Sequence, residues 1–159
     1  MKKLFVLLAV LSLALVVEAK GELDYVTIGD KTYFSDDIKI GASNLRICTE
    51  NGLTIKAPMK KIDAYLVKGR RCKRLPLISY NGEVKCTGLL ELVSFRNGLN
   101  LYKYHPKIGN KDLGCCFYEE SGLVAMFFVY KNEKLYLRVN KNNAKTIFPF
   151  FGVTYKINK

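Results

Sequence analysis

The chain has 159 residues, 26 of them Lys or Arg and 14 Asp or Glu, for a formal net charge of +12. That length supports one domain with its own core and excludes a scaffold that depends on disulfide staples. The basic excess favours solubility and adhesion to anionic polymers, and says nothing about fold.

At the N-terminus, Met1-Lys2-Lys3 is a short positive region and Leu4 to Val17 is apolar apart from Ser12. Val17 and Ala19 then place small residues at −3 and −1 of a cleavage site. These are the parts of a secretory signal peptide, with cleavage expected after Ala19. A spanning helix needs about 20 apolar residues, whereas this run has 14 and no basic cluster follows it. The expectation is a signal peptide at 1–19 and one exported domain at 20–159, periplasmic or extracellular, with no transmembrane segment after cleavage. Without Lys2, Lys3 and Glu18 the domain keeps 24 basic and 13 acidic residues, a net +11.

Along the domain, Asn-Gly occurs at 51–52, 81–82 and 97–98, each flanked by apolar or β-branched residues. This dipeptide accepts the positive φ angles of a tight hairpin turn and is the strongest local hairpin signal. Weaker turn signals are Gly29-Asp30, Lys68-Gly69, Ser121-Gly122 and Lys131-Asn132. Between them lie strand-length runs at 25–28, 31–34, 44–48, 53–57, 62–67, 89–95, 99–104, 123–130 and 134–139, with a last strand expected over 151–157. Leu135, Leu137 and Val139 alternate with Tyr136 and Arg138, as on an antiparallel sheet with one wetter side. LVAMFFVY (123–130) is apolar throughout and reads as a central strand buried on both faces. Asn140–Thr146 is the one place for a short helix, with Asn140 as N-cap. PKIGNKDL (106–113) lacks alternation and reads as an exposed loop. The fold class is all-β, an antiparallel sandwich or barrel of roughly 9–11 short strands with at most one short helix. Helical-bundle and Rossmann patterns are absent.

Export makes disulfides possible among Cys48, Cys72, Cys86, Cys115 and Cys116. Adjacent Cys115 and Cys116 point to opposite faces of a strand and are not expected to bond each other. The other pairings stay open, save that a tight turn at Asn81-Gly82 places Cys86 opposite Leu77 rather than Cys72. At least one cysteine is expected to be a small core hydrophobe. No C-x-x-C redox motif or close-spaced zinc pairs occur, so no metal or cofactor is expected.

His105 is the single histidine, next to Pro106, and nothing around it resembles a nucleophile elbow. Asp36-Asp37 and Glu119-Glu120 fit turn-capping and solvent-facing roles better than paired acid–base catalysis. No catalytic residue is assigned. The string LVKGRRCKRLP (66–76) groups Lys68, Arg70, Arg71, Lys73 and Arg74 around a turn. It could grip an anionic envelope polymer, lipid headgroups or nucleic acid through charge contacts; a solvated hairpin that resists edge aggregation gives the same string.

The segment ELVSFRNGLNLYKY (91–104), followed by FFVYKNEKLYLRVN (127–140), resembles small exported bacterial all-β proteins of unassigned function. The resemblance covers the C-terminal half. It implies secretion and β-architecture, and it brings no catalytic residue and no role for the paired cysteines.

Two functional readings follow. One is an exported, non-enzymatic module that binds an anionic surface polymer or another exported protein. The other is a β-barrel carrier of a small apolar ligand, suggested by Phe127, Phe128, Phe148, Phe150, Phe151 and several tyrosines. A barrel keeps an open lined cavity, whereas a sandwich fills its centre with these rings.

Overall fold

Asn97 and Gly98 both take positive φ, 50° and 76°, and the turn they form pairs Arg96 with Leu99. This is the two-residue turn whose twist matches that of its flanking strands. The structure, a computed structural model, describes residues 22–106, 113–119 and 121–155. The expected signal peptide and most of the expected loop at 106–113 lie outside these residues.

Twelve strands are present among the described residues: β1 (Tyr25–Ile28), β2 (Lys31–Phe34), β3 (Asp37–Ile40), β4 (Asn44–Cys48), β5 (Thr54–Pro58) and β6 (Ala64–Val67), then β7 (Arg70–Ile78), β8 (Val84–Arg96), β9 (Leu99–Tyr104), β10 (Phe117–Tyr118), β11 (Val124–Lys131) and β12 (Lys134–Arg138). A 3-10 turn, Met59–Lys61, follows β5, and the one α-helix of the described residues, α1 (Ala144–Phe150), follows β12. The large sheet runs β10-β11-β9-β8-β7-β6-β1-β2, with β12 also on β11, and a small sheet runs β3-β4-β5. All pairings are antiparallel. The fold is all-β and sandwich-like with no closed barrel, so the barrel alternative falls. Among the described residues no helix is long and apolar enough to cross a membrane.

One face of the large sheet carries two separate covers. The small sheet presses Ile38, Leu45, Ile47 and Ala57 onto Val26, Tyr65, Val67 and Cys72. Farther along, α1 sets Ala144 and Phe148 on Leu101, Phe127 and Val129. Phe127 and Phe148 pack edge to face, ring centroids 5.1 Å apart, so the aromatic side chains fill a core instead of lining a cavity. β11 is buried from Ala125 to Tyr130, as expected of a central strand.

The opposite face buries Leu75, Leu77, Leu90, Met126, Phe128 and Tyr130. There the sheet curls until β12 meets the end of β7. Arg138 holds the closure by donating from Nη2 to the carbonyl oxygens of Ile78 (2.7 Å) and Ser79 (2.5 Å), and from Nε to that of Leu113 (3.1 Å). The Tyr130 hydroxyl donates to the Pro76 carbonyl at 2.6 Å.

Three local expectations need correction. The helix starts at Ala144, not Asn140. The Asn140 side-chain oxygen accepts from the backbone N–H groups of Asn142 and Asn143, and Asn143 Nδ2 donates to the Arg138 carbonyl. Asparagine side chains thus form a competing turn where a helix would need their backbones. The expected strand over 151–157 is not formed in residues 151–155. Phe151 and Val153 direct their N–H groups back to α1 carbonyls, and 156–157 lie outside the described residues. The Asn81-Gly82 turn is longer than two residues, because Ser79 rather than Tyr80 pairs with Glu83. A bulge between Leu77 and Ile78 then restores the register, and Cys86 does stand opposite Leu77.

Candidate anion-binding groove

A single row of cross-strand partners crosses the covered face: Val26 with Tyr65, Tyr65 with Cys72, Cys72 with Glu91, Glu91 with Lys103, and Lys103 with Phe127. Partners opposite each other share a face, so the row passes under the small sheet, emerges as two charges, and ends under α1. Glu91 and Lys103 thus lie between the two covers. A groove of about 630 Å³ opens there. Its floor includes Glu91, Lys103, Tyr65 and Cys72, and Met59 and Lys60 of the 3-10 turn form part of one wall.

The charges are linked. Arg70 Nη2 donates to Glu91 Oε2 at 2.8 Å, and Lys103 Nζ lies 3.9 Å from the same oxygen and 3.1 Å from Glu119 Oε1. His105 Nε2 stands 4.0 Å from Glu119 Oε2, while its Nδ1 donates to the Val124 carbonyl oxygen at 3.0 Å. The Glu91 hydrogen bond raises the already high pKa of Arg70. The side chains of Lys103 and Glu119 are 20% and 18% exposed, less than an ordinary surface pair, so solvent screens them less.

The thiol in the groove is quiet. Burial pushes the Cys72 pKa up, although the Tyr65 hydroxyl bonds to it. Burial, and then that bond, raises Tyr65 as well. A buried protonated thiol is a poor nucleophile.

The sequence-nominated basic string divides because β7 alternates. Arg70 and Arg74 line the groove. Arg74 spends its donors on the carbonyls of Ile62 and Met59, 2.7 Å each, tying the 3-10 turn to β7. Arg71 and Lys73 point to the other face, where Arg71 pairs with Glu22 and Lys73 with Glu133. Lys68 sits in the turn with φ of 50°, and its backbone N–H is held by the Asp24 carboxylate. The fold therefore brings two of the five nominated residues together and adds Lys60, Lys103 and His105, which sequence reading had not joined to them. The missed signal was Glu91 and Lys103 themselves, charged residues at positions where strand alternation calls for apolar ones.

All five cysteines are free thiols, and none lies at disulfide distance from another. Cys115 packs against the core under α1 and Cys116 against the core of the opposite face. The adjacent pair thus serves both faces of a sheet that is covered on each. No metal-ligand cluster occurs among the described residues. Comparison with protein-family models, curated proteins and solved structures finds no match to this chain.

Proposed function

We propose that the protein is an exported, non-enzymatic β module that binds an anionic surface polymer along this groove. One observation carries the reading: Lys60, Arg70, Arg74 and Lys103 line the groove beside His105, and two carboxylates stand against them, Glu91 in the lining and Glu119 next to Lys103. Cations in excess that converge on one groove, Arg74 and Lys103 half-buried and Lys60 and Arg70 exposed at its edge, attract an anionic chain more strongly than the same charges spread over open surface. The protonated state of Cys72 supports binding over thiol chemistry.

The test uses long-chain polyphosphate as probe, with affinity measured across a salt series. Replacing Lys60 and Arg70 by Ser is expected to weaken binding and to lower the slope of log affinity against log salt by about 1 to 2, because fewer counterions are released. The variant Arg71→Ser, Lys73→Ser, on the opposite face, is expected to keep most of the affinity. If the first variant binds as wild type does, the groove is not the contact.

A further inference from the structure

The small sheet carries a second charged feature that the groove does not include. In its middle row Lys39 stands opposite Arg46, and Arg46 opposite Lys56. All three are exposed, on the side away from the core residues Ile38, Leu45, Ile47 and Ala57. Like charges placed directly across strands weaken a sheet, and a three-stranded sheet has little stability to spare. The only carboxylate of the described residues paired with this row is Asp37, 3.4 Å from Lys39. Its pKa is lowered first by a hydrogen bond from Cys48 and then by Lys39. Arg46 and Lys56 form no ion pair among the described residues. A shallow trough of about 210 Å³ runs beside the three cations, past Gly41 and Asn44.

We propose that the Lys39–Arg46–Lys56 row is a second binding site, for one stretch of a linear polyanion laid across the strands. Adjacent strands lie about 4.8 Å apart, so the three cations form a line about 10 Å long. That line matches consecutive charges on an extended polymer. A lipid surface calls for a broad patch with apolar side chains to insert, and the residues flanking this row on its face are Asp37, Cys48 and Thr54 on one side and Asn44 and Pro58 on the other, with no large apolar side chain among them. The β3–β4 turn that bounds the trough continues through Ala42 into the groove wall, which puts both sites within reach of one chain. The polymer class is the one proposed for the groove, so the inference rests on that reading. The row itself is a separate observation.

The experiment compares wild type, the groove variant Lys60→Ser, Arg70→Ser, and the row variant Lys39→Thr, Arg46→Thr, Lys56→Thr. Each is titrated with long-chain polyphosphate at several salt concentrations, and with vesicles containing half anionic phospholipid. The row variant is expected to bind polyphosphate at least tenfold more weakly, with a salt slope lower by about 2, and to melt at or above the wild-type temperature because the repulsion is gone. Unchanged polyphosphate affinity in the row variant overturns the proposal, whatever the groove variant does. A row-dependent affinity for vesicles that exceeds the affinity for polyphosphate overturns it in favour of a lipid surface. Loss in the row variant with no loss in the groove variant keeps the row and removes the groove.

Discussion

Glu91 and Lys103 stand directly opposite each other on β8 and β9, Nζ 3.9 Å from Oε2, where the covered face of the sheet lies between its two covers. Glu91 also accepts a hydrogen bond from Arg70. One carboxylate therefore holds two groove cations and occupies the position that an incoming anion would take.

Replacing Glu91 by Gln separates these two roles. Stability is expected to fall by about 1 kcal/mol, the scale of a half-exposed charge pair. Affinity for polyphosphate is expected to rise several-fold, since the competing carboxylate is gone. Chemical denaturation and salt-series titration read the two effects, and weaker binding in this variant would speak against the groove.

Arg138 joins β12 to the end of β7 through the carbonyls of Ile78 and Ser79, and reaches that of Leu113 as well. Arg138→Met is expected to cost about 2–4 kcal/mol, because three part-buried carbonyl oxygens each lose a charged donor together. Arg138→Lys should recover only part of this, as one ammonium does not reproduce the planar fork. Urea unfolding of both variants gives the comparison, and equal stability to wild type would show that the curl closes without this clamp.

Tyr130 makes the fold sensitive to alkali. Burial pushes its hydroxyl up to about 12, against about 10 in an unfolded chain. Below pH 10 both states keep the proton and the contribution to stability is whole. Between pH 10 and 12 the unfolded chain ionises first, so stability declines as pH rises through that window. Tyr130→Phe is expected to flatten the decline while losing about 1 kcal/mol at neutral pH with the bond to Pro76. A wild-type curve with no extra slope above pH 10 would contradict the assignment.

Thiol accessibility separates the cysteines. Cys86 is exposed and Cys72 is buried. Iodoacetamide followed by peptide mapping is expected to label Cys86 first and Cys72 only under denaturing conditions, since the buried protonated thiol lacks both access and thiolate. Early labelling of Cys72 would mean that the small sheet opens readily.

Much of the fold is written in local chemistry. Asn97-Gly98 fixes its hairpin, and the unbroken apolar run ending at Tyr130 marks the central strand. Features that depend on which strands become neighbours are not readable this way. Lys39, Arg46 and Lys56 are scattered in sequence and align only once β3, β4 and β5 are in register. The basic string around Lys68 looks like one patch because it is contiguous, yet period-two alternation sends Arg70 and Arg71 to opposite faces. The asparagines before α1 misled for a different reason: their side chains fit a cap and a turn equally well, and the contact with Arg138 decides between them.

The two covers share no core residue: one packs through Ile38, Leu45 and Ile47, the other through Ala144 and Phe148. Each is therefore expected to open without disturbing the other, as separate units of one native state. The small sheet spans residues 37–58, and Met59 and Lys60 at its end form part of the groove wall. The width of the groove is thus tied to the local opening of a three-stranded unit. Occupancy of the groove should register in hydrogen exchange as slower turnover of the β3–β5 amides, while those of β11 keep their rate.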